Sequence, residues 1–354
     1  MIVLQIMLQI LGILAGLGLL IFIHELGHFS AAKLCKVRVL TFAFGFGRDL
    51  IKYTHNGTKY CIKAIPFGGF VSMAGENPDD VKGEKGEYLS LAWYKKIFIA
   101  FLGPFCNYVL AVFIFALMFN IWGVSFTSPA SSIGGTVEGY PAAQAGLVAG
   151  DTIKSINGTP VETWEEMAAL LRDKADMETS FVVERGTDTF AINMVVGKNK
   201  VTGSGALGVT PLLTSEKVGF FTSIGYGAET AVIQTIMTVY YLYDKIVSWE
   251  KPDIAGPIGV MQVMAKATKN GMQDYLRLLA IISVALGLFN LFPIPMVDGG
   301  MIVLFLVEGI TRRKISSKII QVYNTIGLVL ILGIFLFATY SDLLRLGIGN
   351  LFGK

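Results

Sequence analysis

Charge is what this chain is short of. Lys, Arg, Asp and Glu supply 16% of its 354 residues while hydrophobic types supply 53%. That balance excludes an ordinary soluble globule and points to a multi-pass membrane protein. The net charge is only +3 and no basic run resembles a nucleic-acid surface, so no nucleic-acid partner is expected. Cysteine is scarce too. Cys35, Cys61 and Cys106 show neither paired spacing nor a metal-knuckle pattern, which leaves three unpaired thiols and no disulfide framework. From Met1 to Ala32 the sequence has no ionisable side chain outside the stretch IFIHELGHFS, which holds His24, Glu25 and His28. A cleavable signal peptide is not expected, because the first apolar run is too long and ends in that cluster rather than at a small-residue cleavage site.

Four apolar segments, roughly 3–32, 97–124, 278–307 and 319–341, are long enough to span ~30 Å of hydrocarbon. TAVIQTIMTVYYLY (230–243), bounded by Glu229 and Asp244, is too short to span and reads as an interfacial or buried helix. Eleven Lys or Arg residues lie between Ala32 and Ile97, and Arg312, Arg313, Lys314 and Lys318 crowd the loop between the last two spans. Positive-inside counting places both loops in the cytoplasm, with both termini and the 125–277 segment outside. Residues 128–215 read as a separate soluble domain of short β-type runs with one helix, TWEEMAALLRDK, for which Thr163 and Glu166 have capping-box spacing. VRVLTFAFGFG and TKYCIKAIPFGGFVSM, joined across YTHNGTK, read as a hairpin at or dipping into the membrane surface. An open edge there is costly unless something pairs with it.

Charged or titratable groups near a bilayer centre cost about 2.5 kcal/mol or more each, so they rarely sit there without a task. His24 and His28 are one helical turn apart and share a face. H-E-x-x-H is the spacing of two zinc ligands with a glutamate as general base; the competing reading is a histidine pair hydrogen-bonded inside a bundle. A catalytic zinc takes three protein ligands and keeps a position for water. His55, in the polar turn, reads as a solvated surface residue. The alternative third ligand is a carboxylate from another span. LFNLFPIPMVDGG offers Asp298, the only ionisable residue between Arg277 and Glu308. Pro293 and Pro295 break the helix just before it, and Gly299 and Gly300 permit close backbone approach. Counted inward from the outer ends of their spans, His24 and Asp298 reach depths within roughly 5 Å of one another.

These motifs, together with PFGGFVSMAGE, FLGPFCN and GPIGV in this order, resemble the site-2 proteases, intramembrane zinc metalloproteases of the bacterial regulator-of-sigma-E protease type. The family pattern N-x-x-P-x-P-x-L-D-G has Val297 in place of its leucine here. The resemblance implies His24, His28 and Asp298 as zinc ligands and Glu25 as catalytic acid/base. It also implies substrate contact by Gly45, Phe46, Gly47 and Asn290, with Pro293 and Pro295 shaping the site. EGYPAAQAGLVAGDTIKSINGTPV resembles a PDZ domain, in which GALGVT, with Gly205, Leu207 and Gly208, is similar to the carboxylate-binding loop.

The fold class expected is therefore a multi-pass α-helical membrane protein with four transmembrane helices, a membrane-associated β-hairpin and an extracytoplasmic α+β PDZ domain. The divisions are residues 1–34 (first span, with HExxH), 35–92 (cytoplasmic-side β-loop), 93–126 (second span) and 127–215 (PDZ domain). After them come 216–272 (linker with interfacial amphipathic helices), 273–309 (third span, with NxxPxPxxDG) and 310–354 (fourth span and tail). The activity implied is cleavage, in a bacterial cytoplasmic membrane, of single-span proteins already trimmed outside, such as anti-sigma factors and leftover signal peptides. Partners are those substrates and lipid, and the cofactor is zinc. A membrane PDZ scaffold with a vestigial metal site is the main alternative, disfavoured by the intact Glu25. A metal or proton transporter is the second, disfavoured by the absence of repeated halves.

Overall fold

The computed structural model describes residues 2–199, 203–249 and 256–346. The tail from 347 onward, and residues 200–202 and 250–255 of the domain and linker expected above, lie outside the described residues. Two units form, Met1–Phe119 with Gly219–Lys354, and Asn120–Val218.

Helix α1 (Ile2–Leu34) runs 33 residues without a proline, about 50 Å at 1.5 Å per residue. It stops at Lys36, which takes a left-handed φ of 62°. The amides of Lys36 and Val37 turn back onto the carbonyls of Lys33 (3.0 Å) and Ala32 (2.8 Å), a Schellman cap. Strands β1 (Val39–His55) and β2 (Thr58–Met73) follow, joined by Asn56-Gly57. Both joining residues have positive φ, 46° and 75°, as a two-residue type I′ turn requires. The sheet doubles back on itself, so that Phe42 lies opposite both Tyr60 and Val71. Helix α2 (Trp93–Trp122) closes this half of the unit.

The second unit contains β3 (Val124–Thr127), β4 (Ile133–Thr136), a single turn α3 (Pro141–Gln144), β5 (Thr152–Ile156), β6 (Thr159–Pro160) and α4 (Trp164–Arg172). It continues with β7 (Glu178–Arg185), β8 (Asp188–Val195), β9 (Gly197–Lys198), β10 (Gly205–Ala206), β11 (Val209–Pro211) and β12 (Leu213–Glu216). One sheet has the order β6-β5-β7-β8, and β3 pairs with β12, β4 with β11 and β9 with β10. Ile133, Ile153, Met167, Phe181, Val183 and Val196 are buried between these strands and α4, each contributing up to about 1.5–3 kcal/mol. Thr163 and Glu166 make both bonds of the capping box on α4. Asp151, fully buried, accepts from Arg185 at 2.7 and 2.8 Å and from the Val148 amide at 2.9 Å, the partners a buried carboxylate needs.

Back in the first unit, α5 (Phe220–Val247) is twice the length of the apolar window expected from Glu229 and Asp244. A charged residue ends an apolar run, but it does not end a helix. Helix α6 (Pro257–Asn270) opens on GPIGV. The segment expected as one broken third span is two helices, α7 (Met272–Asn290) and α8 (Asp298–Thr311), with Pro293 and Pro295 in the turn between. Helix α9 (Ser317–Arg345) is the last element of the described residues. Its buried Asp342 accepts from the amides of Gly256 (3.0 Å) and Gly259 (2.9 Å) at the start of α6, where unbonded N–H groups favour an anion.

Among the described residues, four helices are long and apolar enough to cross a membrane: Gln9–Leu34, Trp93–Trp122, Met272–Asn290 and Ser317–Arg345. Lipid offers no hydrophobic drive between helices, so close packing at small residues holds them. Helix α2 is the hub. Its Gly103 backbone lies against Gly27 of α1, its Pro104 and Tyr108 against Gly287 of α7, and its Val112 and Ala116 against Gly227 of α5. At its first turns Lys96, 1% exposed, reaches Glu308 of α8 at 2.6 and 2.7 Å.

Candidate metal centre

His24 and His28 turn their rings to one point, and the split of the third segment delivers Asp298 to it as the first residue of α8. His24 Nε2 lies 3.1 Å from His28 Nε2 and 3.1 Å from Asp298 Oδ2, and His28 Nε2 lies 3.3 Å from Asp298 Oδ1. The N-terminal end of α8 adds a positive helix-dipole field at that carboxylate. Whether zinc suits this set is decided by chemistry and spacing. Two imidazoles and one carboxylate are zinc donors, and a tetrahedral ion with bonds of about 2.0–2.1 Å spaces its ligand atoms about 3.3 Å apart. Asp298 Oδ2 is buried and faces no donor but the His24 ring of the same trio, as expected of an atom placed for a cation. His28 Nδ1 donates to the Ile99 carbonyl at 2.8 Å, which leaves its Nε2 lone pair facing the cluster. The residues fit zinc.

Glu25 lies beside the trio. Its Oε2 accepts from the Val71 amide at 3.0 Å, which ties α1 to the last stretch of β2. All four residues line a cavity of about 400 Å³ that also receives Asn290, Phe70 and Val71. Glu76 and Tyr88 line it too. Burial raises the Glu76 carboxyl above the usual range despite the Met73 amide it accepts from at 2.9 Å, and burial holds the Tyr88 hydroxyl well above its ordinary value. Met73, Glu76 and Asn324 also line a larger cavity of about 850 Å³, where Asp79, Asp80 and Glu84 stand.

The other expected residues are placed less uniformly. Pro293 and Pro295 do not line the cavity; Pro295 packs against Gly327 of α9. Gly45, Phe46 and Gly47 also stand back from it, although Phe46 stacks on Phe70 with ring centres 6.3 Å apart. Gly45 and Gly47 hold φ of 87° and 85°, a conformation open to glycine, where β1 bends. His55 is exposed at the hairpin tip and does not join the cluster of His24, His28 and Asp298. In the second unit Gly205, Leu207 and Gly208 line a cavity of about 480 Å³ with Tyr140 and Arg172.

Sequence reasoning missed the groups that surround the trio: the Val71 amide, the Ile99 carbonyl, Glu76, Tyr88 and Asn107. Backbone groups leave no mark in a sequence. Asn107 did leave one, as an amide in the middle of an apolar span.

The sequence profile of peptidase family M50 matches residues 12–334. A Campylobacter jejuni protein named as a zinc metalloprotease is 33% identical over 93% of this chain and 92% of its own. Metalloprotease MmpA of Caulobacter vibrioides is 28% identical over 98% of each chain. Among solved structures, the PDZ domain of an SdrC-like protein from Listeria monocytogenes aligns with 25% of this chain and 94% of its own, at 20% identity and a TM-score of 0.22.

Proposed function

The chain belongs to peptidase family M50 and is a zinc metalloprotease, and from that premise we propose that it cuts peptide bonds inside membrane-spanning segments. His24, His28 and Asp298 are assigned as the zinc ligands and Glu25 as the general acid and base. The observation that carries this reading is the convergence of the trio and Glu25 in one cavity among apolar helices. Held by His24, His28 and Asp298, zinc would make a water at the site more acidic and would place positive charge at the scissile carbonyl. Glu25 then takes a proton from the attacking water and returns it to the leaving amine. The Val71 amide holds one oxygen of that carboxylate, so the other is free to face the substrate.

A transmembrane helix hides its peptide bonds, so the substrate must unwind, and its freed amides need partners. The outer edge of residues 69–73 runs beside Glu25 and offers them by strand addition. Asn290, on the cavity wall, is assigned to hold the extended segment. Water enters from the larger cavity, past Glu76 and Asn324, which the two cavities share. The hairpin belongs to the cytoplasmic side and both termini to the other, by the Lys and Arg count. The 127–215 segment is a PDZ domain that selects among substrates, which are single-span proteins already trimmed outside, of the anti-sigma-factor or leftover signal-peptide kind.

The test is cleavage of a trimmed single-span reporter in membranes by the wild type, by Glu25→Gln, and with a zinc chelator. Glu25→Gln should lower cleavage by about 10²–10⁴-fold while zinc stays bound, and the chelator should abolish cleavage. Undiminished cleavage by Glu25→Gln removes that glutamate from the chemistry.

A further inference from the structure

Metal binding through Nε2 imposes a condition on the far side of each ring. A neutral imidazole that gives one nitrogen to a metal carries its proton on the other, and that N–H needs an acceptor. His28 meets the condition with the Ile99 carbonyl. For His24 the atom facing Nδ1 is Nδ2 of Asn107, at 3.2 Å, while Asn107 Oδ1 has no partner. Two nitrogens face each other across that gap. The oxygen and nitrogen of an amide are interchangeable by a half-turn of the side chain. Either orientation leaves one end of the Asn107 amide without a protein partner, so bond counting does not choose between them. The metal does, because a donor on His24 Nδ1 requires oxygen opposite it.

On this ground we propose that Asn107 is a positioning residue of the zinc site, its side-chain oxygen accepting from His24 Nδ1 and fixing the tautomer that presents Nε2 to the metal. This rests on the reading of His24 as a ligand. Asn107 is fully buried in the middle of α2, where an amide is costly unless it has a task. Its own backbone carbonyl is already occupied by Ser283 at 2.8 Å, so the side chain is free for another role. The helix geometry explains how one element serves both rings. Ile99 and Asn107 are eight positions apart on α2, about 12 Å, whereas the two histidines are one turn apart, about 6 Å. Helix carbonyls point toward the C-terminus and side chains lean toward the N-terminus. The Ile99 oxygen and the Asn107 amide therefore reach inward from both ends, toward the level of Gly103. There a glycine leaves room for the His28 ring. Ile99 and the motif FLGPFCN that follows it thus supply a carbonyl, a gap and an acceptor along one face of the helix.

The experiment measures the zinc dissociation constant of the full chain in detergent, by competition with a fluorescent chelator, for the wild type, Asn107→Leu, Asn107→Asp and His24→Ala. Asn107→Leu, close in size but without an acceptor, should weaken zinc binding about 10–100-fold. Asn107→Asp keeps an oxygen at the same place and should restore affinity to near the wild-type value. A role in packing alone predicts no such rescue, because the added charge is worse for packing than leucine. Zinc binding by Asn107→Leu equal to wild type, with His24→Ala impaired, overturns the proposal and leaves the ligand assignment standing. Equal binding by His24→Ala overturns both. If Asn107→Leu does not fold, ¹⁵N-histidine spectra of the zinc-loaded wild type and Asn107→Asp decide, and with three histidines in the chain they are sparse. A protonated, hydrogen-bonded Nδ1 on His24 that shifts in Asn107→Asp supports the proposal. Coordination through Nδ1, or an Nδ1 signal unmoved by the substitution, refutes it.

Discussion

Gly103 bears on the metal centre in a way that one added methyl group can test. A Cβ at this position would stand 2.9 Å from Cδ2 of the His28 ring and closer still to Nε2 and Cε1. Ordinary contact begins at about 3.5 Å, so in Gly103→Ala the ring must withdraw by roughly 1 Å. It has little freedom to do so, because Nδ1 is bonded to the Ile99 carbonyl at 2.8 Å and the neighbouring Gly27 is pressed against the backbone of Leu102 and Gly103. A zinc site tolerates about 0.2 Å in its bond lengths. The expected result is zinc affinity lowered by at least about 10–100-fold and reporter cleavage lowered by about 10²-fold. Helix propensity moves the other way, since alanine favours a helix by about 1 kcal/mol over glycine, so a weakened helix cannot be the cause. Gly333→Ala on α9 is the control, because a Cβ there meets nothing within 4 Å. Zinc content of the purified protein and reporter cleavage in membranes are measured for both variants. If Gly103→Ala matches Gly333→Ala in both, the His28 ring is not held against α2 as described.

Lys96→Met leaves the Glu308 carboxylate buried without its cation, which should destabilise the protein by about 3–5 kcal/mol; thermal unfolding in detergent reads this, and Lys96→Met with Glu308→Leu should recover most of it. Recovery failing in the double variant would mean that Lys96 packing on Phe305, 4.7 Å from the ring centre, matters more than charge. The Arg185 guanidinium, helped by the Val148 amide, holds the Asp151 carboxyl below the usual range. Its stabilising contribution is therefore full above the unfolded value of about 3.9 and is lost as pH falls through the lower folded value. Hydrogen exchange within residues 120–199 of the intact protein should accelerate over that acid window, and Asp151→Asn should be less protected at neutral pH and less sensitive to acid. Equal acid sensitivity in the two proteins would remove Asp151 as the cause.

The parts of the site legible in the sequence are those governed by a fixed period or by isolation. A four-residue spacing puts His24 and His28 on one helix face whatever surrounds them, and Asp298 stands out because nothing else ionisable occurs between Arg277 and Glu308. The hairpin was legible at Asn56-Gly57, whose positive φ values its residue types allow. Its doubling back was not, because the pairing of Phe42 with both Tyr60 and Val71 depends on bends at Gly45 and Gly47 that no alternation pattern encodes. The length of α5 was hidden for a different reason: Glu229 and Asp244 bound its apolar stretch while the helical backbone passes through both. The expected substrate motif around Phe46 touches the cavity lining through the ring of Phe70 rather than lining it itself, a distance that sequence order does not measure.

The bond from the Val71 amide to Glu25 sets a rule for how the hairpin can change length. Backbone amides in a strand face alternate sides, so removing one residue between Ile65 and Val71 turns over each following side chain and carries the outward amide about 3.3 Å along the strand. Glu25 would then meet a different residue, or none. Removing two restores the pleat. Insertions and deletions here should be tolerated in pairs, or singly only when a compensating bulge appears, while insertions at the exposed Asn56-Gly57 turn leave the Val71 register alone.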